Sequence, residues 1–175
     1  DGTFNAFPAL YMQLFTLHVF VADKQLPVVY CLKSSKMRDA HVSVFNTLKT
    51  KAHQDGLTLN PKTLLSDFEN ALIAAVRDEF PNATHRGCYF HLTQAVWCQV
   101  QSLGLSNIYT QDDAVRLQVR QLMALGFAPR LLIRTIFQEL RSSAAPVLAP
   151  LFGYFEQQWM VNIPIQMWNV YQVNL

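Results

Sequence analysis

The chain has 175 residues, of which 51% are apolar and 15% charged, with 14 Lys and Arg against 12 Asp and Glu. This composition excludes a disordered segment and a small disulfide-stapled scaffold, and it supplies enough chain for one domain with a real core. A formal charge of +2 does not identify a nucleic-acid partner by itself, because a domain held mainly by phosphate contacts carries more.

Asp1-Gly2-Thr3-Phe4 reads as the end of a strand that begins before the first residue. Residues 11–22 are rich in aromatic and β-branched side chains, and residues 26–32 repeat that texture after the polar Asp23-Lys24-Gln25. Two such runs around a short polar break predict a β-hairpin. Asp39 is expected to cap a helix running to about His53, with Val42, Phe45, Leu48 and Ala52 at three- and four-residue spacing. His41 and His53 fall on the polar side of that helix in this reading, and Gly56 ends it. Residues 63–66 predict a short buried strand with Asp67 directly after it. A helix over 69–80 follows, carrying Leu72, Ile73, Val76 and Phe80 on one face, and residues 84–90 predict one more strand. From His91 onward the pattern is helical, broken at Gly104, at 126–129 and at 142–146. Leu92, Val96, Trp97 and Val100 form an apolar stripe expected in the core. The order predicts one α/β domain over residues 1–175, with a helical insertion or extension over about 91–154.

No apolar run reaches the ~18 residues of a membrane span, and residues 10–22 come nearest while carrying Gln13, Thr16 and His18. The chain opens without Met and without a signal-peptide pattern, so it is expected to be a domain of a longer protein. Cys31, Cys88 and Cys98 are odd in number and form no Cys-x-x-Cys pair, which points to a reducing compartment.

Two carboxylates stand at strand ends, Asp1 and Asp67. If their strands are neighbours and a third acid joins them, they can hold divalent ions for phosphoryl transfer. Taken singly, each also fits a turn or a helix cap. The third acid has four candidates: Asp112, Asp113, Glu139 and Glu156. Asp112 and Asp113 stand where a helix should start, Glu139 sits between Arg134 and Arg141 on a solvated face, and Glu156 lies among Phe152, Tyr154, Phe155 and Trp159. Glu69 is a spare acid two residues past Asp67. Cys88-Tyr89-Phe90-His91 has the spacing of half a zinc site, without the second pair that a closed site needs.

The succession of Asp1-Gly2-Thr3-Phe4, residues 11–21 and 26–30, Leu65-Ser66-Asp67-Phe68-Glu69, Phe80-Pro81-Asn82-Ala83, residues 87–97 and Tyr154-Phe155-Glu156-Gln157-Gln158-Trp159 resembles the transposase domain of Mutator-like elements (MULE). The resemblance implies a DDE transposase with an RNase H-like fold, in which a mixed sheet starts antiparallel, continues parallel and is flanked by helices. It further implies Asp1, Asp67 and Glu156 as catalytic and metal-holding acids for two Mg2+ or Mn2+ ions, with Cys88 and His91 near the site. The implied reaction is cleavage and strand transfer of DNA, with transposon ends and target DNA as partners. A nuclear location and a homo-oligomer in the full-length protein are also implied. The alternative is a domesticated relative that binds DNA and regulates transcription without turnover.

Overall fold

The computed structural model describes residues 2–3, 11–22 and 24–172. The chain is mixed α/β and falls into two compact units, Asp1–His85 and Arg86–Leu175.

In the first unit, β1 (Gly2–Thr3), β2 (Gln13–Val21) and β3 (Lys24–Lys33) form an antiparallel sheet in that order. The predicted hairpin is present, turned by Ala22 with φ at +48°. Its ladder is irregular between Leu17 and His18, which pair with Val29 and Pro27 and leave Val28 as an extra residue on β3. Pro27 has no N–H to give a neighbour, and a bulge on an edge strand is where a sheet accepts it.

Helix α1 (Arg38–Gln54) corrects the expected cap. Met37 holds the cap position with no side-chain bond, while Asp39 lies inside the first turn and pairs with Arg38 at 2.9 Å. The helix starts two residues earlier than the sequence suggests, so the Asp39 carboxylate complements the positive helix end without capping it. At the other end Gly56, with φ at +73°, donates to His53 O while Leu57 donates to Ala52 O, the paired bonds of a Schellman stop.

Strand β4 (Thr63–Ser66) leads into α2 (Asn70–Glu79), and β5 (Thr84–Gly87) pairs with β4 in a short parallel sheet. Phe15, Phe45, Leu72, Ala75, Val76 and Phe80 make the core of this unit, with the Phe45 and Phe80 rings edge-to-face at 5.2 Å. Lys49 closes the α1–α2 pair by bonding Glu79 Oε2 at 2.8 Å and Glu79 O at 2.6 Å. Two expectations change here. The single mixed sheet is, among the described residues, two short sheets, because the two described residues of β1 pair with β2 and present no ladder to β4. The strand expected to reach Phe90 stops at Gly87, since Tyr89 already begins a helix.

The second unit is helical: α3 (Tyr89–Ser102), α4 (Ser106–Gln111), α5 (Asp113–Ala124), α6 (Ile133–Ser142), α7 (Ala149–Phe155) and α8 (Ile165–Trp168). Asp112 caps α5 as expected, accepting from the N–H groups of Ala114 and Val115. Leu92, Val96 and Val100 are fully buried, as the stripe predicts, while Trp97 is only partly buried and packs edge-on against Tyr109 at 4.9 Å. The centre is aromatic: Phe137 lies 5.8 Å from Phe152 and 5.9 Å from Phe155, and Phe155 meets Trp168 edge-on at 5.9 Å. After Phe155 the helix widens into a π-helix (Glu156–Asn162), in which Ile163 N–H reaches back five residues to Gln158 O at 3.0 Å.

Candidate active site

Asp67 follows β4 directly, and three bonds fix the turn that carries it. Its Oδ1 accepts from Glu69 N–H at 3.1 Å, and Ser66 Oγ donates to Asp67 O at 2.6 Å. Ser66 has one hydroxyl proton and spends it on that carbonyl, so the contact between Ser66 Oγ and His85 Nε2 at 2.9 Å must run from His85 Nε2–H. Burial holds the His85 imidazole below its usual pKa, with the Asp67 charge opposing. Asp67 Oδ2 has no hydrogen-bond partner among the described residues.

A second set of side chains lies within electrostatic reach of Asp67. Lys33, at the end of β3, is 4% exposed, and His41, in the first turn of α1, is 0% exposed. The Lys33 ammonium donates to His41, with Nζ 3.1 Å from Nδ1 and 3.0 Å from Nε2, and lies 4.7 Å from the centre of the Phe15 ring. His41 Nε2 is 3.7 Å from Glu69 Oε1. Burial, with the Lys33 charge adding to it, lowers His41 to about 4, so the ring is neutral at pH 7. Burial also pushes Lys33 below its ordinary value, against the pull of Glu69 and Asp67. Glu69 is raised by burial and by the Asp67 charge, with Lys33 opposing.

The His41 shift has a pH signature. Between about pH 6.5 and 4 the unfolded chain takes up a proton at His41 that the folded chain refuses, so stability falls as pH falls through this window. The loss amounts to up to about 3 kcal/mol, partly offset by the raised Glu69, whose protonation favours the folded state. Urea unfolding at pH 7 and pH 4.5 should show the drop, and His41→Gln should flatten it. An unchanged slope in that variant would assign the effect to other groups.

The expected acids are placed unevenly. Asp1 lies outside the described residues; Gly2, next to it, pairs with Phe15, the residue whose ring meets both Lys33 and His41. Glu156 opens the π-helix of the second unit, where its Oε2 accepts from Arg141 Nη1 at 2.5 Å. Glu139 is exposed on α6. Cys88 holds the cap position of α3 as a free, half-buried thiol, and His91 sits in the first turn with its ring 5.5 Å from that of Phe90. Among the described residues no three His, Cys, Asp or Glu side chains gather closely enough to hold one metal ion.

Sequence reasoning placed His41 on the polar face of α1, and the structure corrects this. His41 stands four residues before Phe45, a spacing that puts both on the buried side. Lys33 gives no such signal, because a lysine closing a strand reads as a solvated end.

The family model described as MULE transposase domain matches residues 1–95. No curated protein and no solved structure matches the chain.

Proposed function

The chain belongs to the MULE transposase domain family, and from that premise we propose that it is the catalytic core of a DDE-type transposase with an RNase H-like fold. The function is transposase-related; the finer reading is metal-dependent cleavage and strand transfer of DNA. The observation that carries it is Asp67 at the end of β4, inside the matched region, with Glu69 beside it and Oδ2 open among the described residues. Hard carboxylate oxygens suit Mg2+ or Mn2+; burial is the main reason Glu69 is raised, and the Asp67 repulsion that adds to it is what a dication relieves.

By the family's motifs Asp1, Asp67 and Glu156 would hold the metal. When bound, the ions supply Lewis-acid activation of a water or a 3′-hydroxyl and stabilise the leaving oxygen. The chain's own part is positioning. The Glu69 N–H and the Ser66–His85 contact fix the Asp67 turn, while the buried Lys33 tempers the acidic charge. Transposon ends and target DNA are the partners in this reading, in the nucleus, with the full-length protein acting as a homo-oligomer.

Strand cleavage of an end-containing DNA by the full-length protein should disappear in EDTA and return with Mg2+ or Mn2+. Cleavage that persists in EDTA would overturn the metal-dependent reading. The ion pair between Arg141 and Glu156 favours a second reading, a DNA-binding regulator that retains the acids without turnover. A protein that binds DNA and never cleaves it with either metal would establish that one.

A further inference from the structure

Gln13, Lys33 and His41 are three of the four buried polar or charged side chains among the described residues, and all three belong to one place. Gln13 stands directly across the ladder from Lys33, so the two side chains leave the same face of the sheet. Gln13 Oε1 is buried with no hydrogen-bond partner among the described residues. The Lys33 ammonium has His41 as its hydrogen-bond acceptor and the Phe15 ring beneath it, both neutral. A buried ammonium is strongly unfavourable without a counter-charge. The Glu69 carboxylate reaches the His41 ring, its Oε1 lying 3.7 Å from the Nε2 that is 3.0 Å from Lys33 Nζ, so ammonium and carboxylate flank one nitrogen. The charges that act on Lys33 in compensation are those of Glu69 first, then Cys31 and Asp67. The same attraction, seen from the carboxylates, offsets the repulsion between two acids set two residues apart on one turn.

We propose that Lys33 is a built-in counter-ion that takes the electrostatic place of a divalent cation beside the Asp67 and Glu69 carboxylates, so that a metal ion binds against its charge. The inference rests on the metal-dependent reading given above. It assigns Lys33 no contact with DNA or with a reacting atom. The lysine keeps the acidic turn folded in the metal-free protein and weakens the site's hold on the metal.

Lys33→Met keeps most of the apolar stem and removes the charge. In the full-length protein, Mn2+ binding followed by the electron paramagnetic resonance signal of the free ion should tighten about tenfold or more in this variant. The metal-free variant should melt at a lower temperature than the unsubstituted protein, and it should gain more from added Mn2+. A purely structural role predicts the opposite sign for affinity, because a loosened turn binds metal less well. Unchanged or weaker binding in a variant with a native circular dichroism spectrum overturns the proposal and leaves the metal reading standing. Absence of Mn2+ binding in both proteins overturns the two together. If Lys33→Met does not fold, Lys33→Gln, which retains a polar head for His41, gives the same comparison.

Discussion

Asp67→Asn is expected to lower strand cleavage by at least about a thousandfold while leaving the fold intact, because residues that form one metal site fail as a unit. The amide oxygen can still accept from Glu69 N–H, so the turn after β4 survives. What disappears is the negative charge. With that charge gone, Glu69 should stay raised by burial, the larger cause, and lose only the part that the Asp67 charge adds. Glu156→Gln should be about as severe if the family's third acid is carried by this residue, and Glu139→Gln, on the exposed side of α6, should be nearly silent. Single-turnover cleavage of a labelled oligonucleotide, with DNA binding measured alongside, separates the variants. Retained cleavage in Asp67→Asn would refute the metal mechanism, and loss in Glu139→Gln with retention in Glu156→Gln would move the third acid to Glu139.

The largest loss of stability is expected from Phe137→Ala. Phe137 is 0% exposed and its ring packs against both Phe152 and Phe155. Removing an aromatic side chain from such a site costs about 3–5 kcal/mol, as lost burial plus the cavity left behind. Leu131→Ala removes a side chain that is 91% exposed and should change stability by no more than about 0.5 kcal/mol. Urea unfolding of the two variants against the parent chain tests the contrast, and similar midpoints would mean that the aromatic centre of the second unit is looser than its packing indicates.

Much of the framework was legible before the structure. The hairpin, the helix after it, β4, α2 and the helical breaks all announce themselves through side-chain periodicity and through Gly or Pro at the ends, which are local properties. The cap at Asp112 is local too, and it was read correctly. Asp39 does not cap because Arg38 is itself a good first helical residue and the helix begins there, two positions ahead of the expected start, which leaves Asp39 inside the first turn. Sheet arrangement was the weakest inference, since which strands share a ladder depends on residues far apart in the chain. Asp67 is a candidate through its place at a strand end and through the family's motif, both of which are visible in the sequence. Lys33, His41 and His85 are brought around it by tertiary packing alone. A buried lysine has no sequence signature, because its tolerance is conferred by charges that the fold delivers from another element.

The widened turn from Glu156 to Asn162 has absorbed one residue more than an α turn holds, so chain length here is constrained chiefly against lengthening. An α-helix advances about 100° per residue. Dropping a single residue between Glu156 and Trp159 would let the hydrogen bonds revert to the ordinary four-residue step, with Phe155 and Trp159 keeping roughly their present facing. A further insertion that the turn does not absorb would instead swing the flanking side chains by about 100°, and both aromatic rings are fully enclosed. Anyone building variants on this scaffold can therefore diversify the outward-facing Gln157 and Val161 broadly and shorten the segment by one residue, whereas lengthening it changes which side chains face inward.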